Sequence, residues 1–94
     1  MTRIKARYGK DGYSIASTGH AGTNEACTAV SAIIGALAGW VHNNTGSFTL
    51  EKGKALVMWP KGDGGETAME MAVIGLRQVA QSCPDDVTIE LIWE

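Results

Sequence analysis

Cysteine is scarce in this chain. Cys27 and Cys83 are the only two in 94 residues, too few for the disulfide framework that staples small secreted domains, so both are read as free thiols in a reducing compartment. An excess of basic charge is missing too. Eight Lys and Arg stand against ten Asp and Glu, scattered rather than clustered, which excludes the electrostatic footprint of a nucleic-acid or anionic-lipid binder. The opening "MTRIKARYGK" has no apolar h-region and no small-residue cleavage site. No uninterrupted apolar run reaches the roughly 18 residues that a membrane span needs, so a cytoplasmic protein away from the membrane is expected. Internal repeats and low-complexity tracts are absent. A chain of this length forms one domain, residues 1–94, burying roughly 60–70% of its unfolded surface, and is too short for two cores.

Cofactor signatures are equally thin. "GDGGE" at 62–66 lacks the Gly-Lys-Ser/Thr of a phosphate loop and the alternating ligands of a calcium loop, and reads as a mobile connector. His20, Cys27, His42 and Cys83 have none of the paired short spacings of a structural zinc site. Neither a metal nor a cofactor is expected.

What is present is periodicity. Ile4, Ala6 and Tyr8 alternate with Arg3, Lys5 and Arg7, "GKDG" supplies a turn, and Tyr13, Ile15 and Ser17 share one side of the next segment; this predicts an opening β-hairpin. From Asn24 the apolar residues Ala26, Val30, Ile33, Ile34, Leu37, Trp40 and Val41 recur at helical steps. Thr23 or Asn24 can cap that helix, and "HNNTG" can stop it. Its Ala and Gly content, including Gly35 and Gly39, costs helix stability and suggests close packing as compensation. "SFTLE", the turn "KG" and "KALVMWP" read as two more strands, the second apolar enough for a central position. Met69, Ala72, Val73, Leu76 and Cys83 mark a second helix, stopped by Pro84. Val87, Ile89, Leu91 and Trp93 then alternate in a last strand. The order β-β-α-β-β-α-β predicts an α+β, two-layer sandwich, two helices on a mixed sheet of about five strands.

The chemistry on offer is a thiol and an imidazole. Cys27 falls in the first turn of the first helix, near N3 if Asn24 is the cap. The helix dipole there stabilises an anion by about 0.3–1 kcal/mol, up to about 2 when partly buried, which alone does not make a strong thiolate. An adjacent imidazole can supply the rest. His20 closes the second strand, and the short loop from Ala21 to Ala26, with Gly22 for turning, brings it to the same sheet edge. Glu25 opposes a thiolate. On residue types alone the alternative stands: a cysteine on an Ala-rich helix is often only a small hydrophobe. Cys83 reads as packing, and His42 as serving the C-terminal end of its helix. A redox exchange pair would need a resolving cysteine closer than Cys83.

"TGHA" closing a strand and "CTAVSA" opening a helix together resemble the ribosomal-processing cysteine proteases, a bacterial family with Gly-His-Ala followed by Cys-Ala-Ala-Val-Ser-Ala. The likeness extends through "GLRQVAQSCP" to the final strand. It implies that His20 is the general base and Cys27 the nucleophile, with Ser31, Gly19 and Ala21 in support and Gly22, Thr23 and Asn24 forming a loop over the substrate. It also implies a cytoplasmic homodimer that cuts a flexible N-terminal extension from a large-subunit ribosomal protein, or the termini of a phage capsid or scaffold protein. Two departures stand out: the His-to-Cys loop is shorter than in the family, and Asn24 occupies the place of an aspartate. So small a domain has no room for a deep cleft, so the peptide is expected along the rim, across the His20-to-Cys27 loop and partly along "KGDGG", with a dimer mate closing one side. The competing expectation is a non-catalytic binding or assembly module that keeps the fold.

Overall fold

The structure is a computed structural model that describes residues 1–20 and 22–94. Strands β1 (Thr2–Tyr8) and β2 (Gly12–Thr18) form the opening hairpin, closed by the Gly9 N–H donating to the Gly12 carbonyl at 2.9 Å. Ile4 faces Ser17, Ala6 faces Ile15 and Tyr8 faces Tyr13 across it. The period-2 pattern therefore sends one set of side chains to the core and leaves Arg3 and Lys5 in solvent. Helix α1 (Asn24–Asn43), strands β3 (Ser47–Glu51) and β4 (Lys54–Pro60), helix α2 (Gly65–Ser82) and strand β5 (Val87–Trp93) follow.

The five strands lie in the order β3-β4-β2-β1-β5. Every neighbouring pair is antiparallel except β1 and β5, which are parallel. Both helices pack on this mixed sheet as a two-layer α+β sandwich, around a core that includes Ile4, Ile15, Val57, Met69, Leu76 and Val87. The centre of the sheet is β2, with the apolar β4 one place out. Leu56 and Met58 on β4 face the solvent side, since no second layer covers that face.

Helix α1 is long and apolar enough to cross a membrane by length and composition, with a mean hydropathy of 1.3. In the fold that apolarity serves the core: Ala26, Val30, Ile34, Leu37, Ala38 and Val41 form its buried stripe. At its end the Asn44 side-chain amide donates to the Trp40 carbonyl at 2.8 Å, the stop expected from "HNNTG". The expected close packing at its glycines is not where the sequence suggested. A Cβ added at Gly35 or Gly39 would meet nothing within 4 Å, whereas one at Gly75 of α2 would lie 3.1 Å from Ile33. The helices approach each other through the α2 glycine, because Gly35 and Gly39 lie on exposed parts of α1. Gly39→Ala is therefore expected to stabilise the fold by about 0.5–1 kcal/mol through helix propensity alone, raising the melting temperature by a few degrees in a thermal circular-dichroism scan.

The loop before α2, read from the sequence as a mobile connector, runs through a tight turn. Gly62, Asp63 and Gly64 take positive φ in succession, and the buried Trp59 indole N–H donates to the Gly65 carbonyl at 2.8 Å. An indole inside the core needs an acceptor, and this one pins the start of α2. The far end of α2 stops as expected, with Cys83 as C-cap, its N–H on the Val79 carbonyl at 2.8 Å, and Pro84 next.

Candidate functional site

The chain leaves β2 through Gly19, at φ +91, whose N–H donates to the Gly53 carbonyl at 2.9 Å. That bond ties the end of β2 to the two-residue turn Lys52-Gly53 between β3 and β4. His20 is consequently laid over Gly53: a Cβ added there would sit 2.8 Å from the imidazole Nε2. Gly53 is demanded twice, by its φ of +76 and by the ring above it. Gly53→Ala is expected to displace the imidazole and cost about 1–2 kcal/mol of strain, seen as a lower urea midpoint and a shifted His20 ring signal in NMR.

Ala21 lies outside the described residues. Beyond it, a Cβ at Gly22 would meet the Asp86 carboxylate and displace it. Thr23, not Asn24, is the N-cap of α1. Its Oγ1 accepts from the Ala26 N–H at 3.2 Å and donates to Asp86 Oδ2 at 3.3 Å. Thr23 is held from both sides in this way, which leaves Asn24 exposed as the first helical residue. It also moves Cys27 one place further in than an Asn24 cap would, to the fourth position. The Cys27 N–H already donates to the Thr23 carbonyl at 3.1 Å, so the donors left over at the helix start are the amides of Asn24 and Glu25.

His20, Cys27 and Ser31 line one cleft of about 210 Å³ between the first half of α1 and the β3–β4 hairpin. Its lining is apolar at Val30, Ile34, Leu50 and Ala55, and the pairing of Glu51 with Lys54 turns both of their side chains to the other face of the sheet. Both His20 and Cys27 are exposed. Among the described residues no hydrogen bond joins them, so the contact expected from the loop length is not made in this structure. In sites without substrate such contacts are often longer than in the working complex. Gly19 lines the cleft as well, while Gly22, Thr23 and Asn24, expected to form a loop over the substrate, are not among its lining residues.

The loop at 61–65, expected to share the rim, does not. The hairpin turn sits at one end of β4 and "KGDGG" at the other, about 20 Å away along the strand, beside Trp40 and Asn44. The rim is built by the β3–β4 hairpin instead. His42 lies about 22 Å from Cys27 along α1, its ring edge-on to Phe48 with centroids 6.3 Å apart. Cys83 is half-buried at the end of α2. These four residues do not converge, and among the described residues no group of three or more His, Cys, Asp or Glu could hold a metal.

Gly53, Leu50 and Asp86 are the site residues that sequence reasoning missed. The "KG" turn signalled a hairpin at Gly53 but not what would rest on it, and nothing local to Asp86 pointed across 63 residues to Thr23. A larger cleft of about 790 Å³ opens at the opposite end of the sheet, lined by Tyr8, Tyr13 and Trp93, and holds neither cysteine nor histidine.

No family model and no curated protein matches the sequence. Among solved structures the likeness is extensive. The chain is similar to SMU.848 from Streptococcus mutans, with a TM-score of 0.82 at 19% identity over 100% of this chain and 96% of that one. It is similar to Prp, an essential ribosomal processing protease from S. aureus, in complex with a covalently linked product peptide, with a TM-score of 0.79 at 13% identity over the whole of both chains. Against Prp with a substrate peptide the TM-score is 0.75 at 10% identity, over 97% of this chain and 99% of that one. What the chain has in common with these proteins is the fold over nearly its whole length, at 10–19% identity.

Proposed function

We propose that this protein is a cysteine endopeptidase acting through a dyad of Cys27 and His20. The observation that carries the reading is that both residues line one cleft at the start of α1, within a fold similar to that of a ribosomal processing protease. The Cys27 thiolate attacks the scissile carbonyl, and the peptide bond breaks to leave a thioester on Sγ. His20, having taken the thiol proton, gives it to the departing amine. Water then resolves the acyl-enzyme with His20 as base. The oxyanion falls to the amides of Asn24 and Glu25, because the Cys27 amide is committed within the helix. Ser31, one turn along the same cleft wall, supports the site by packing or hydrogen bonding. The substrate is a flexible N-terminal extension of a large-subunit ribosomal protein, with phage capsid or scaffold termini second, and the enzyme works in the cytoplasm as a homodimer.

That no hydrogen bond joins His20 and Cys27 among the described residues favours one other reading, a binding module that keeps the protease fold without the reaction. Peptides spanning those termini, incubated with the purified protein and followed by mass spectrometry, separate the two. A discrete cut and an acyl adduct on Cys27 are expected. Iodoacetamide should modify Cys27 well before Cys83, and His20→Ala should slow that modification severalfold. Exposure alone favours Cys27 over Cys83, so the His20→Ala arm is the decisive one. Intact peptides, together with an alkylation rate indifferent to His20, would leave the binding module.

A further inference from the structure

Strand β3 is an edge strand with all five residues exposed, paired among the described residues with β4 alone. The two-residue turn at Lys52-Gly53 makes Glu51 and Lys54 a hydrogen-bonded pair, so alternation along the ladder turns the N–H and C=O of Leu50 and Phe48 toward the open edge. Among the described residues no backbone hydrogen bond outside the ladder uses them. An exposed edge of this kind is a template for another extended chain, and proteins usually blunt it with lysine, proline or a covering element. Here Ser47–Glu51 contains neither lysine nor proline. The register puts Phe48 and Leu50 on the side of the sheet that α1 covers, opposite Val57 and Ala55. Leu50, 50% exposed, lines the cleft that holds Cys27.

Above that edge, α1 presents Cys27, Ser31 and Gly35, spaced four residues apart on one flank and all exposed. Ser31 and Gly35 line the cleft with Cys27, and the position of a Cβ at Gly35 is open space. The flank therefore puts only small side chains beside the cleft that leads to the thiol.

Resting on the protease reading, we infer that the substrate binds as an added sixth strand on β3. The extended peptide takes backbone hydrogen bonds from Leu50 and Phe48, sets every second side chain against Ile34, Gly35 and Leu50, and delivers its scissile bond to Cys27. The substrate class is then an unstructured segment with small or apolar residues at alternate positions beside the cut. A segment whose backbone N–H and C=O groups are already paired cannot add to β3.

The test has two arms. In the first, each backbone amide of a cleaved N-terminal-extension peptide is N-methylated in turn and kcat/KM is measured. Losses of about tenfold are expected at alternate positions, with little effect between them, since each methyl removes one hydrogen bond. In the second, hydrogen exchange at the Leu50 and Phe48 amides is followed by NMR while the unmodified peptide is added to the Cys27→Ala protein. Both amides should become protected. Cleavage with a flat methylation profile and unprotected amides overturns strand addition and leaves the protease reading standing. Protection by peptides that the wild-type protein never cuts supports strand addition and overturns the protease reading. Neither cleavage nor protection overturns both.

Discussion

Cys27→Ala is expected to lower peptide cleavage by at least about a thousandfold while leaving the unfolding midpoint unchanged or slightly higher. The size of the loss follows from removing the thiol that forms the thioester, and single members of a nucleophile–base pair cost nearly as much as the pair together. His20→Ala should therefore fall close to Cys27→Ala, and the double variant little lower. Ser31→Ala, which removes no reacting atom, should lose less than about tenfold. Retention of the fold is predictable because Cys27 is exposed at the fourth helical position, where alanine is the better helix former and no core contact is given up. Turnover assays on the four proteins, beside urea denaturation of each, check the set. Wild-type turnover in Cys27→Ala would end the protease assignment.

The largest effect on stability is expected in the other helix, α2. Leu76 is fully buried, at 0% exposure, among the α2 residues that face the sheet. Leu76→Ala should cost about 2–5 kcal/mol, the lost transfer free energy plus a cavity that surrounding Val and Ile side chains fill only in part. For a domain of this size total stability is about 5–15 kcal/mol, so the variant should melt at least about 10 °C lower. Equilibrium urea unfolding would measure it. A cost under about 1 kcal/mol would mean that α2 can settle into the space, contrary to a core centred on Leu76, Ile4 and Ile15.

Much of this architecture can be read from local pattern. The alternation of Ile4, Ala6 and Tyr8, the helical stripe from Ala26 to Val41 and the turn at Lys52-Gly53 each specify an element because a period of 2 or 3.6 has one physical meaning. Partner choice is another matter. Nothing in "VTIELIW" says that Val87 will face Thr2 and Trp93 face Tyr8, since any half-buried strand can satisfy the same pattern. The same gap explains the misplaced rim. "KGDGG" and "KG" are both polar and glycine-bearing, and only the course of β4 decides which of them shares an end of the sheet with His20. The candidate pair itself was legible, His20 and Cys27 being seven residues apart across one tight loop. The supports were not, because Gly53 and Asp86 reach the site through pairings that no short window contains.

The parallel union of β1 and β5 has a temporal consequence. Residue 2 must find residue 87 and residue 8 must find residue 93, so one flank of β1 stays open until almost the entire chain is present. A β1–β2 hairpin can form within microseconds, yet on its own it is only marginally stable. Closing that flank brings together strands more than 80 residues apart, the kind of non-local step that slows folding and lengthens exposure to misassociation. Val87, already held next to the α2 cap by its N–H on the Cys83 carbonyl at 3.0 Å, is placed to begin that closure as soon as α2 has docked.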